Sequence, residues 1–217
     1  MRHLIDTYIR AEESEKISAF DDLTLIQLIV ERGPDAVDAL PKGIRKSEDA
    51  VAETIENNVR KLIINESPVD PAYYDKMSKL LDALIEQRRK GVLSYKEYLN
   101  QIAALTKQAT MPGGKPGSYP PGLKTAAQRA LYNNLDKDEA LALAVDAAIQ
   151  TSRMDGWRDH PIKLKKMRNA IKAVLEQAAV NGCTSEFSGV QEKGEEAYPI
   201  EAEATRILEL AKHQNDY

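Results

Sequence analysis

Between residues 48 and 108, apolar side chains recur at steps of three and four, and each run has its own start and stop signals. That pattern commits the stretch to three consecutive amphipathic helices. Val51, Ile55, Val59, Leu62 and Ile63 mark the first. Pro68 and the Asp70-Pro71 pair end it and open the second. Asp70 stands as N-cap and Pro71 at the first helical position, where a missing N–H costs nothing. Tyr73, Tyr74, Met77, Leu80, Leu81, Leu84 and Ile85 form the apolar stripe of the second helix, which closes on Arg88, Arg89, Lys90 and Gly91. Positive charge there complements the C-terminal dipole, and glycine accepts the left-handed cap conformation. Ser94 and Glu97 have capping-box spacing for the third helix, whose inner face is Tyr95, Tyr98, Leu99, Ile102 and Leu105.

The flanks read as helical too. Leu4, Ile5, Tyr8 and Ile9 make a short opening helix. Leu23 to Val30 is dense enough in apolar residues for a buried helix, begun by Asp21-Asp22 and capped by Gly33. A short helix over 34–40 and a turn at Pro41-Lys42-Gly43 lead into the three central helices. Residues 112–122 hold four prolines and four glycines, which no regular element tolerates. Beyond them, Thr125 with Gln128 and Asp136 with Glu139 have the spacing of two more capping boxes. The second opens an alanine-rich helix to about Arg153, with Leu141, Val145 and Ile149 as its packing residues. Asp155-Gly156-Trp157 reads as a turn, and Pro161 starts a helix with Leu164, Met167, Ile171, Val174 and Leu175 on its core face. Residues 181–198 read as a loop and 200–212 as a final helix. The expected fold is all-α, an irregular bundle of about eight to nine helices with a Pro/Gly-rich loop near the middle. Residues 1–47 are expected to form an N-terminal helical segment, the end of a preceding helical domain, and 48–217 a C-terminal helical domain with a linker or mobile loop at 110–123.

With 217 residues the chain can bury its own core. The net charge of −4 excludes a uniformly cationic nucleic-acid binder but not a local basic surface. Cys183 is the only cysteine, so no disulfide forms within the chain and a reducing, cytoplasmic setting fits. No signal-peptide core or membrane span is present, and no membrane partner is expected.

Catalytic signatures do not assemble. Gly113-Gly114-Lys115-Pro116 puts proline where a P-loop needs its Mg-binding hydroxyl. Asp138-Glu139 superficially resembles an acidic helicase box, yet it sits at a helix start, where acidic residues complement the dipole. No Glu-x-Lys occurs for a restriction-type nuclease, and His3, His160 and His213 lack metal-ligand spacing. Tyr73, Tyr74, Tyr95 and Tyr98, at helical spacing beside leucines, read as core rather than as base-stacking residues.

One segment stands out by charge. Arg153, Arg158, Lys163, Lys165, Lys166, Arg168 and Lys172 face only Asp155 and Asp159, a local +5 in an acidic chain. On a helix Lys165, Arg168 and Lys172 share a stripe flanked by Lys163 and Lys166, which suits tracking phosphates. The plainer alternative is a solvated face, with Lys172 pairing Glu176 at the i, i+4 spacing. Arg88, Arg89 and Lys90 form a weaker second patch, already accounted for by the helix dipole.

The chain resembles the C-terminal region of the R subunit of type I restriction enzymes, the motor and nuclease of a DNA restriction system. The likeness rests on AVAETIENNVRKLIIN at 50–65 and PAYYDKMSKLLDALIEQR at 71–88. It continues through FDDLTLIQLIVERG at 20–33, RALYNNL at 129–135, DGW at 155–157 and KMRNAIK at 166–172. These are long runs of ordinary helix residues with no catalytic signature. In that family the motor and nuclease lie upstream, so the resemblance implies a non-catalytic helical domain that neither hydrolyses ATP nor cuts DNA alone. It holds no cofactor itself, since ATP and Mg serve the domains absent from this chain. The implied partners are the methyltransferase M and S subunits, the remainder of the R subunit and double-stranded DNA. Met1 would then be a boundary inside a longer subunit. An adaptor that binds only proteins is the alternative, and an independent enzyme a third.

Overall fold

The computed structural model describes residues 25–40, 47–111, 118–180 and 200–217. Eight α-helices and two 3-10 turns account for most of them, and no strand occurs among the described residues. The fold is an all-α irregular bundle. In chain order the helices are α1 (Leu25–Arg32), α2 (Glu48–Glu66), α3 (Pro71–Arg89) and α4 (Tyr95–Ala109), then α5 (Ala126–Asn134), α6 (Glu139–Ser152), α7 (Pro161–Val180) and α8 (Ile200–Lys212). The 3-10 segments are Gly33–Ala39, a short helix where one was expected over 34–40, and Trp157–Asp159. The expected opening helix, the Pro41-Lys42-Gly43 turn, the Gly113–Pro116 motif and Cys183 lie outside the described residues.

Helix starts follow local chemistry. The Asp70 carboxylate accepts from the Tyr73 N–H at 3.2 Å with Pro71 behind it. Ser94 with Glu97 and Thr125 with Gln128 each close a reciprocal capping box. Each satisfies donors that the helix itself leaves open. Gly33, Gly91 and Gly156 have φ near +60°, the left-handed region that glycine enters without a Cβ penalty. One boundary differs from expectation: α6 is capped by Asp138, whose side chain accepts from the Leu141 N–H at 3.0 Å. Asp136 and Lys137 instead turn the chain at φ of 50° and 63°, so Asp136 lies outside the helix and makes no box with Glu139.

Two hydrophobic cores result. The first gathers α1 to α4 around Leu28, Val59, Tyr74, Leu81, Tyr98 and Ile102. The second gathers α5 to α8 around Leu131, Val145, Ile149, Met167, Ile171 and Ile207, with Trp157 and Tyr217 packed in. Trp157 is 3% exposed and serves as core. Leu80, expected inside, is 43% exposed, because the buried stripe of α3 runs through Tyr74, Met77, Leu81, Leu84 and Ile85. In α6 only Ala142 of the five alanines is fully buried.

Between the cores, α3 packs on α5 and the contact is polar. Asn133 and Asn134 donate to the two Asp70 oxygens at 2.6 and 2.8 Å. Asn134 accepts from the Ala72 N–H and from Arg206, and Gln214 donates to the Val69 carbonyl at 2.6 Å. A buried polar network of this kind fixes how two apolar units meet only while every member is satisfied.

Candidate nucleic-acid interface

The seven basic residues of the 153–172 segment divide into two groups. Arg153, Arg158 and Lys163 hold backbone. Arg158 donates to the carbonyls of Lys212, Gln214 and Tyr217 at 3.0, 2.7 and 2.9 Å, while its guanidinium lies 5.0 Å from the Trp157 ring centroid. Carbonyls at the end of a helix lack intrahelical partners, so a cation beside α8's last turn answers both hydrogen bonding and dipole. Arg153 donates to the Asp216 carbonyl at 3.0 Å and Lys163 to that of Asp155 at 2.6 Å. A cleft of about 460 Å³, lined by Arg153, Met154, Trp157, Arg158 and Tyr217, lies beside them.

The other four residues lie along α7. Its inner face is Met167, Ile171 and Leu175, so the outer face carries Ile162, Lys165, Lys166 and Asn169. Ile162 is 75% exposed. Lys165 and Lys166 are exposed and make no ion pair or hydrogen bond among the described residues. Arg168 and Lys172 turn towards α8, where both meet the carboxylate of Glu201. Arg168 Nη2 lies 3.3 Å from Oε1, and Lys172 Nζ 2.8 Å from Oε2. The expected Lys172–Glu176 pair is present but longer, at 3.9 Å. The hydrogen bond from Lys172 and the charges of Lys172, Arg168 and Lys165 hold the Glu201 carboxyl below its usual range. The same bond raises the Lys172 ammonium. Arg168 Nε is buried and has no hydrogen-bond partner among the described residues. Sequence reading missed Glu201, since it follows Lys172 by 29 residues and no local spacing joins them.

The second basic patch disperses. Arg88 reaches back to α2, donating to Glu56 at 3.1 Å and Asp49 at 2.7 Å, and lies over the Tyr98 ring. Lys90 pairs with Glu86, and Arg89 is exposed beside a cleft of about 390 Å³ between α2 and α3. Tyr74 and Tyr98 are buried as expected, donating to the Ala109 carbonyl and to Glu56. His160 and His213 are exposed. Among the described residues no group of three or more His, Cys, Asp or Glu side chains is placed to hold a metal ion, and no helix is long and apolar enough to cross a membrane. Of the basic residues in the two patches, Lys165, Lys166 and Arg89 are exposed with no ion pair or hydrogen bond among the described residues. No protein-family model, curated protein or solved structure matches this chain.

Proposed function

We propose that this chain is a non-catalytic C-terminal domain of a type I restriction enzyme R subunit. It assists assembly with the M and S subunits and contributes a basic surface to the DNA path of the whole enzyme during ATP-dependent translocation and cleavage. Two things support the reading: the resemblance that runs along most of the chain, and a helical architecture whose basic segment leaves Lys165 and Lys166 exposed side by side. The pair of lysines is the observation that carries the DNA part. Two ammonium groups without an ion pair among the described residues, one turn from the start of α7, suit neighbouring phosphates, with no demand for base contacts.

Sedimentation of the chain with cognate M and S subunits, with and without a short duplex, tests both parts. Assembly predicts co-sedimentation without DNA. DNA contact predicts binding that weakens as salt rises, and Lys165→Ala with Lys166→Ala should flatten the log–log salt slope by about 1.8. A slope unchanged by the double variant rules out this face as the DNA surface. One observation favours an adaptor without a nucleic-acid role: Ile162, 75% exposed, sits beside these lysines, and the other five basic residues of the segment already hold carbonyls or Glu201. Salt-insensitive co-sedimentation lost on Ile162→Asp would select that alternative.

A further inference from the structure

We infer that Arg168 and Lys172 form a second phosphate seat on α7, held shut in the free protein by the carboxylate of Glu201. The inference rests on the DNA reading above and assigns regulation to the same surface. Glu201 places one oxygen on each cation, at 3.3 Å from Arg168 and 2.8 Å from Lys172, the two-pronged arrangement in which a phosphodiester's free oxygens would stand. Lys165 lies near enough to act on the same carboxylate, so the seat continues into the exposed lysine pair. Arg168 Nε is buried without an acceptor among the described residues, and Glu201 meets the guanidinium through Nη2. The Glu201 side chain is itself 46% exposed, and its bond to Lys172 crosses from α8 to α7. With almost half of its side chain open to solvent, it can swing to water when a stronger anion arrives.

A carboxylate and a phosphate cannot share these two cations. In free protein Glu201 occupies both cations, cutting their joint charge from +2 to +1, and restricts phosphate contact to Lys165 and Lys166. When duplex backbone settles on α7, its phosphate displaces Glu201 and the contact set grows from two cations to four. The carboxylate thus disfavours weak, single-contact encounters and yields to a continuous backbone.

The test compares duplex binding by the full chain and by Glu201→Gln, which keeps the side chain's size and removes its charge. Fluorescence anisotropy of a short labelled duplex is read over a salt series, with circular dichroism confirming the fold. Glu201→Gln is expected to bind at least about fivefold tighter, a common scale for coupling between two sites. Its salt slope should be no flatter, since all four cations stay available to phosphate in the variant. Adding Arg168→Ala and Lys172→Ala to Glu201→Gln should remove the gain and flatten the slope by about 1.8. Equal or weaker binding by Glu201→Gln overturns the seat. So does an equal gain from Glu53→Gln, which removes one exposed charge from the α2 surface and reports net charge alone. If wild type binds through Lys165 and Lys166 while Glu201→Gln changes nothing, only the seat fails. If neither protein binds duplex, the DNA reading fails with it.

Discussion

Glu56 shows how a single residue's chemistry is set by its neighbours. It is 5% exposed, inside the first core, and its Oε1 accepts from the Tyr98 hydroxyl at 2.8 Å and from Arg88 Nε at 3.1 Å. A buried carboxylate stays charged only while such partners remain. Burial works against the Arg88 charge, but Glu56 and Asp49 outweigh it and raise its pKa. Arg88→Met is therefore expected to cost about 3 kcal/mol in urea unfolding, and the double variant with Glu56→Leu should recover most of that loss. A cost below about 1 kcal/mol would mean that Arg88 acts as a surface charge. At Asp70 burial prevails over the favourable partners. Burial lifts its carboxyl above the ordinary 3.8, against the bonds from Asn133, the Tyr73 N–H and Asn134. A raised native pKa means that the folded protein binds this proton more tightly than the unfolded chain. Its contribution therefore favours folding as pH falls from neutral through the raised value, and levels off below 3.8. Relative to Asp70→Asn, the wild-type urea midpoint should rise on acidification. A difference that instead shrinks towards low pH would show a carboxyl held down by its hydrogen bonds.

At the scale of an element, helix starts and stops were legible because their chemistry is local. Ser94–Glu97 and Thr125–Gln128 are three-residue signals, and Gly91 or Gly156 announces a left-handed turn by lacking a Cβ. The same reasoning misplaced the cap of α6, where Asp136 and Asp138 both precede an apolar run and only backbone dihedrals separate them. Asp138→Ala should cost about 1 kcal/mol through the lost bond to the Leu141 N–H. Asp136→Gly should stabilise slightly, since glycine relieves the left-handed backbone there. Paired thermal melts check both, and equal losses would return the cap to Asp136. The basic segment was legible as charge but not as arrangement. Periodicity put Lys165, Arg168 and Lys172 on one stripe, yet only the approach of α8 brings Glu201 between the last two. Likewise Arg158 finds its three carbonyls 54 to 59 residues away, beyond the reach of any spacing rule.

Across the whole molecule, the two cores meet through Asp70, which sequence reading gave only the part of an N-cap, and through Asn133, Asn134, Arg206 and Gln214, to which it assigned no role. Asn134 is 8% exposed and belongs to both sides: it donates to Asp70 and to the Ala130 carbonyl, and accepts from the Ala72 N–H and Arg206. An apolar junction would tolerate slippage, whereas this one loses several directed bonds together when one member is removed. Asn134→Ala leaves Asp70 and the Ala72 N–H each short of a partner, and a cost of about 2 to 4 kcal/mol is expected. The loss should appear as uncoupling as well as destabilisation, because the α1–α4 core does not need Asn134 for its own packing. Trp157, the sole tryptophan, lies in the second core and reports that unit alone. In wild type its fluorescence and far-ultraviolet circular dichroism should trace one urea transition. In Asn134→Ala the tryptophan signal is expected to move to lower urea, while part of the helical signal persists to a second midpoint. Coincident transitions in the variant would make Asn134 dispensable for cooperativity and assign the coupling to the remaining α3–α5 contacts and the Gln214–Val69 bond.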